Sequence, residues 1–265
     1  MTQILKRDGV ELHLADALEL APRLPRASVD LLYLDPPFFT QREQKRGSKG
    51  YDDRWPGGLA DYLAFLRRLV EACVPLLSER GVIALHLDWR AAHYGRLELE
   101  RALGADNFVN EIIWSYRTGG LSKRWLARKH DTIHVFSRGP KYTFNRQTEK
   151  SYLSHRYGFS NVEIFQDEKG PYTMAAMRDV WDVAALRGNQ PENAGYPTQK
   201  PQALLERLIG CFSRKGDVVA DFCCGSGTTL VAAVKAGRNA LGCDIGRQAV
   251  EIAQRRLKNV LGART

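Results

Sequence analysis

Short apolar runs alternate with stretches of helical spacing over most of this chain. Val10–Leu14, Val29–Leu34, Val82–Leu87, Phe108–Ser115, Thr132–Phe136, Asp217–Asp221 and Asn239–Cys243 read as strands, and residues 1–6 as an edge strand. Leu59, Tyr62, Leu66, Leu69, Val70, Cys73 and Leu77 recur on one face of a helix. Further helices are expected at about 91–103, 201–213, 230–236 and 248–261, the first of these shorter than the 59–77 helix. Strand, helix, strand in this order predicts a doubly wound α/β fold with a mixed, mostly parallel sheet. The strands 108–115 and 132–136 lack a helix between them, so they should pair antiparallel. From 141 to 195 the periodicity fades and aromatic and polar residues mix. That segment reads as an inserted recognition module between a catalytic half, 1–140, and a second half, 196–265.

At 265 residues the chain can bury a full core. No apolar run approaches membrane-spanning length and no signal peptide opens the chain, so a cytoplasmic protein is expected. The five cysteines show no metal-ligand spacing, and no metal is expected. The net charge of +9 suggests a polyanionic partner. It is unevenly spread. Residues 41–54 carry Arg42, Lys45, Arg46, Lys49 and Arg54 against three acids. Residues 117–129 carry Arg117, Lys123, Arg124, Arg128 and Lys129 with no acid, around Trp125 and beside Gly119-Gly120. Cations around a ring fit phosphate contacts plus a stacking or wedging aromatic; a solvated loop with Trp125 tucked onto the core fits as well. Residues 141–195 hold seven basic and seven acidic residues, so the positive surplus lies outside them.

Two stretches carry candidate chemistry. Asp35-Pro36-Pro37-Phe38 follows the strand 29–34. Each proline fixes φ, and Pro36 pushes Asp35 out of the α region. A carboxylate, the Pro36 carbonyl and a ring would share a rigid cup at the carboxyl edge of the sheet, where open α/β sheets bind ligands. Two acceptors and a ring suit a planar base with an exocyclic amine; a plain strand-ending turn is the alternative. The second stretch is Asp221-Phe222-Cys223-Cys224-Gly225-Ser226-Gly227-Thr228-Thr229, a glycine turn between strand and helix, with Asp244 at the tip of the next strand. The third glycine of a dinucleotide fingerprint is replaced by Leu230, and no P-loop lysine follows. An adenosine-bearing ligand without phosphates fits, and S-adenosylmethionine is one. Asp244 would hold its ribose and Asp221 would face its charged methionine end. Asp16 reads as a helix cap that could instead face the same cleft. His86 reads as a core or rim residue of its strand.

The motifs at 35–38 and 221–229 resemble the catalytic and cofactor motifs of the DNA amino-methyltransferases. Their order, catalytic motif first, resembles the β group, a circular permutation of the common methyltransferase core. Thr198-Gln199-Lys200-Pro201 is similar to the element preceding the family's cofactor strand, and Leu14-Ala15-Asp16-Ala17-Leu18 to its element beside the cofactor adenine. The resemblance implies a Rossmann-like core with a small target-recognition insert. It implies S-adenosylmethionine held by Asp16, Ala17, Thr198, Gln199, Lys200, Asp221, Phe222, Cys223, Gly225, Gly227, Thr228, Thr229 and Asp244. It implies a flipped base in double-stranded DNA at Asp35, Pro36, Pro37 and Phe38, with adenine N6 favoured and cytosine N4 as the alternative. A catalytically silent DNA-binding subunit is the alternative of another class. A homodimer, a cognate restriction endonuclease and association with the nucleoid are further expectations. The chain departs from the family at Phe222-Cys223, where Pro-Phe is usual.

Overall fold

The computed structural model describes residues 1–117, 123–152 and 163–263. Gly119 and Gly120 lie outside the described residues, as do 153–162 of the expected insert. A nine-stranded sheet runs through the molecule. In chain order its strands are β1 (Thr2–Arg7), β2 (Val10–Leu14), β3 (Val29–Leu34), β6 (Leu77–Asp88), β7 (Phe108–Ser115), β8 (His130–Ser137), β12 (Val180–Asp182), β13 (Val218–Asp221) and β14 (Asn239–Asp244). Across the sheet the order is β1-β2-β14-β13-β3-β6-β8-β7-β12. From β2 to β6 all neighbours are parallel; β8 is antiparallel to both β6 and β7, as the missing crossover helix required.

Both faces of the sheet are covered, so its central strands are apolar nearly throughout. Leu31, Tyr33, Val82 and Ala84 point to one core, shared with Leu204, Leu208, Val231 and Val250. These belong to α4 (Gln202–Phe212), α5 (Thr228–Lys235) and α6 (Arg247–Gly262). Leu32, Leu34, Ile83 and Leu85 point to the other core, with Leu20, Tyr62, Leu66 and Leu99. Those come from α1 (Ala17–Leu20), α2 (Gly58–Cys73) and α3 (Ala92–Leu103). Period-two alternation on β3 and β6 thus feeds two cores at once. The fold is the expected α/β class with a mixed, mostly parallel sheet.

Three expectations need correction. The helix expected over 59–77 stops at Cys73, because Pro75 supports only a short 3-10 turn and β6 already begins at Leu77. The polar stretch 40–56 is not a plain loop: β4 (Glu43–Arg46) and β5 (Lys49–Asp52) form a hairpin, with Gly47 at φ 63° in its turn. The segment 141–195 is also divided. β9 (Thr148–Tyr152), β10 (Phe165–Asp167) and β11 (Gly170–Ala176) form a small separate sheet. β12, however, joins the main sheet parallel to β7, with Trp181 and Val183 buried in the core. Its Trp-Asp-Val run is too short for periodicity to reveal.

Candidate active site

The carboxyl ends of β14, β13, β3 and β6 meet along one edge of the sheet, where parallel strands leave room for a ligand. β8 runs the other way, so its first residues, His130 and Asp131, reach the same edge. A cavity of about 290 Å³ opens there. Asp16, Ala17, Thr198, Gln199, Lys200, Asp221, Phe222, Cys223, Gly225, Thr228, Thr229 and Asp244 all line it, together with Asp35, Pro37 and Phe38. Two motifs from opposite ends of the chain meet because β3 and β13 are neighbours, Tyr33 opposite Asp221. Pro36 and Gly227 are not among the lining residues. Pro36 is buried beneath the cup. Gly227, at φ 77°, lets α5 approach α6: a Cβ there would stand 2.7 Å from that of Ala253.

The floor is held by backbone amides. Asp244 accepts from the N–H groups of Gly225 and Gly246, each at 2.8 Å. Burial nevertheless pushes its carboxyl above the usual range. Asp221 is buried, and burial lifts its pKa to about 7; Asp35 and Asp244 nearby add to the rise, while Thr229 and the Cys223 amide oppose it. Its partners are thus neutral donors facing a carboxylate. Leu230, standing where a dinucleotide fingerprint has glycine, packs into the space above Gly242. Arg256 of α6 donates to Ser226 and Thr228 and clamps the turn from behind. Asp16 does both things expected of it: its carboxylate accepts from Leu18 N at 2.8 Å as a cap, and it lines the cavity. Phe222 is 2 % exposed and reaches the cavity from the core.

The cup is braced on every side. Tyr62 donates to the Pro37 carbonyl at 3.0 Å. The buried Asp53 accepts from the Thr40 amide and hydroxyl and from the Trp55 indole. Phe39, Gln41 and Thr198 have positive φ, backbone strain of about 1–3 kcal/mol each that the surroundings must sustain. Lys200 donates to both Asp35 oxygens, at 2.7 and 2.5 Å, with its ammonium 4.9 Å from the centre of the Phe38 ring. Expected to hold a cofactor, Lys200 therefore also joins the catalytic motif to the Thr-Gln-Lys-Pro element.

Phe38 and Lys200 form the wall between this cavity and a second recess of about 430 Å³. That recess is lined by Arg42, Trp114, Tyr116, Arg128 and Asp131, among others. Arg128 stacks 3.7 Å from Trp89 and 5.0 Å from Trp125, which is 56 % exposed rather than tucked onto the core. Lys45 pairs with Glu43 and Arg54 with Asp52 inside the hairpin, and Arg46 donates to Asn193. Lys49 is half-buried beside Gly195. Arg117, Lys123 and Arg124 are exposed, and Lys129 is half-buried. Sequence reasoning missed Tyr33, Tyr51, Trp55, Tyr196 and Asp131 as site residues. Of these, only Tyr196, two residues before the Thr-Gln-Lys-Pro element, carried a positional signal.

Two carboxylates over a glycine turn, set beside a rigid carboxylate-and-ring cup in one cavity, define an enzyme that brings a nucleoside-bearing ligand against a planar substrate. The chain belongs to the N6/N4 DNA methylase family, whose model matches residues 29–255. It is 29 % identical to the type II methyltransferase M.HpaI of Haemophilus parainfluenzae, over 92 % of this chain and 72 % of that protein. It is 27 % identical to the DNA adenine methyltransferase YhdJ of Escherichia coli K12, over 91 % of this chain and 80 % of that one. In fold it is similar to TTHA0409, a DNA modification methylase from Thermus thermophilus whose structure holds S-adenosylmethionine. The TM-score is 0.61 at 24 % identity, covering 95 % of this chain and 94 % of the other. Among the described residues, no helix is long and apolar enough to cross a membrane.

Proposed function

We propose that this DNA methyltransferase takes its methyl group from S-adenosylmethionine and places it on adenine N6 of a base flipped out of duplex DNA. The observation that carries the reading is the shared cavity: the Asp221–Asp244 floor and the Asp35–Phe38 cup line the same space. The residues fit the cofactor. Asp244 offers lone pairs at the strand tip for ribose hydroxyls, beside the exposed Ile245 for an adenine face. Asp221, buried among neutral donors, suits a cationic ammonium. When bound, the cofactor supplies an electrophilic methyl group on a sulfonium.

The protein's part is positioning and electrostatics. Asp35 and the Pro36 carbonyl accept from the target amine and aim its lone pair. Phe38 stacks on the base, which approaches through the recess lined by Trp114 and Tyr116. Flipping costs a few kcal/mol, offset by those contacts. Adenine is favoured because Asp stands first in the motif, and because YhdJ, an adenine methyltransferase, aligns over 91 % of the chain. The order of the motifs supports the permuted β-group arrangement. On the resemblance alone, the proposal extends to a homodimer and a cognate endonuclease.

The exposed cations Lys123 and Arg124, with Arg42 and Arg128 at the recess, would meet phosphates. The β9–β11 sheet of the insert would read sequence. The test is to sequence DNA from cells expressing the gene, detecting both modified bases. N6-methyladenine at one short motif is expected; N4-methylcytosine there, or no modified base, would overturn the proposal.

A further inference from the structure

Behind the cup, β6 carries His86, fully buried and 5.6 Å from the ring centres of both Phe38 and Trp114. It is more than a core residue. Its Nδ1 lies 2.6 Å from the Tyr33 hydroxyl, and its Nε2 lies 3.3 Å from Asp131 Oδ2. Nδ1 also stands 4.0 Å from Asp35 Oδ1. The antiparallel register explains the Asp131 contact: His86 faces Ile133, which puts Asp131 on the diagonal of the same sheet face. Asp131 in turn accepts from the Tyr116 hydroxyl at 3.0 Å.

These partners select one tautomer. Burial, with the charges of Asp35, Asp221 and Asp131 behind it, holds the Tyr33 hydroxyl protonated, so it can donate to Nδ1. Burial would raise the Asp131 carboxyl, but the hydrogen bond and charge of His86 outweigh it and hold Asp131 low, as an acceptor. His86 then gives Nε2–H to Asp131 and turns its Nδ1 lone pair towards the cup. A carboxylate that orients an imidazole whose free nitrogen faces a reacting group is the arrangement of a general base. The remaining groups facing it are Lys200, on the far side of Asp35, and Cys223, beyond Tyr33.

We propose that His86, oriented by Asp131, receives the proton that the target amine gives up on methylation. The inference rests on amine methylation as proposed above. The amine lone pair forms the N–C bond, and the electrons of the old methyl bond stay on sulfur. The nitrogen, now cationic, gives one proton to Asp35. The Tyr33 hydroxyl, already bonded to Nδ1, passes its own proton to His86 and is reprotonated from Asp35. Asp131 then balances the imidazolium, and Asp35 is again a carboxylate under Lys200. Asp35 thus orients the amine and relays the proton, and His86 stores it.

The experiment combines single-turnover methylation across pH with nitrogen NMR of the histidine rings in the full-length protein. The duplex carries the motif found by sequencing. His86→Gln should slow single turnover about 10²-fold or more. It should erase the acidic limb of the rate profile and leave DNA and S-adenosylmethionine binding within about three-fold. Asp131→Asn should shift that limb without erasing it, and Tyr33→Phe should slow the step at every pH. In the wild-type protein the His86 ring should carry its proton on Nε2. A His86→Gln enzyme within about three-fold of wild type at every pH, or a proton on Nδ1, would overturn the proposal. If His86→Gln does not fold, the Asp131→Asn profile and the wild-type tautomer decide. Absence of methylated amine with the wild-type enzyme would instead overturn the amine-methylation reading, and the tautomer would still be measured.

Discussion

On the floor of the cavity, Asp244 is fixed by two backbone amides, and the glycine turn is clamped from behind by Arg256. On the rim, the Glu43–Asp52 hairpin is tied by ion pairs between exposed side chains, Lys45 to Glu43 and Arg54 to Asp52. The difference is one of cost. Displacing Asp244 would break backbone bonds in a buried edge of the sheet, at about 1–3 kcal/mol for each donor left unpaired. Exposed ion pairs contribute about 0–1 kcal/mol each, so the rim can exchange its partners for phosphates at little expense. A rigid floor and a rearrangeable rim suit an enzyme whose small ligand is constant while its large substrate must be opened. The Asp35 cup lies between the two, at the end of a core strand but joined to Lys200 by a side-chain bond across 165 residues.

The comparison is broken most severely at the cup. Asp35→Ala should lower the single-turnover rate by at least roughly 10²–10³-fold, the range for removal of one oriented polar group. Binding of S-adenosylmethionine should stay within a few-fold, because the floor does not depend on Asp35. Near-wild-type turnover would remove Asp35 from the chemistry. On the floor, Asp244→Ala should weaken cofactor binding by roughly 1.5–3 kcal/mol, as for a hydrogen bond to a charged group. Calorimetry reads this directly. Measurable NAD binding by the wild-type protein would contradict the role of Leu230.

The floor was legible in the sequence for the same reason that it is rigid. Gly225, Gly227, Asp221 and Asp244 are fixed by local backbone geometry, and local geometry leaves its mark at fixed spacing. So did Pro36-Pro37. What was not legible depends on contacts between distant strands. The Asp131–His86 bond follows from an antiparallel register, and the Lys200–Asp35 bond from two loops meeting at a sheet edge. Neither leaves a spacing to read. β12 escaped because a three-residue edge strand has no period, and the hairpin at 43–52 because its residues are polar on both faces. Trp125, open to two readings from sequence, is exposed beside Arg128.

A gentler change titrates the floor instead of removing it. The Asp221 carboxyl, lifted to about 7 by burial, must lose its proton to meet a cationic ligand. Affinity for S-adenosylmethionine should therefore rise with pH, by up to about tenfold per unit, and level off above about pH 7. Binding at pH 6 should release up to one proton, seen as a dependence of binding heat on the buffer. For the ligand-free chain the sign is opposite. A raised carboxyl contributes stability that is full below about pH 4 and lost as pH rises through about 7. Asp221→Asn should remove that loss and flatten the melting temperature over this range. If affinity is flat from pH 5 to 8, Asp221 does not face the cationic end.

The smallest effect on chemistry belongs to the rim, and it divides the rim in two. Phosphate contacts position a protein and base-edge contacts specify. Removing one phosphate-binding cation should lower the slope of log affinity against log salt by about 0.9. Lys123→Ala, Arg124→Ala and Arg128→Ala together should flatten that slope by roughly two to three units. Affinity for target and non-target duplexes should fall alike. The hairpin cations should contribute less, because Lys45 and Arg54 already pair with Glu43 and Asp52 and would have to exchange those partners. Polar-to-Ala changes on β9–β11 should do the reverse, keeping the slope and eroding the preference for target. Titrations at several salt concentrations on two duplexes separate these outcomes. A triple variant that keeps its salt slope and loses target preference would make the basic segment the reader and invert the division.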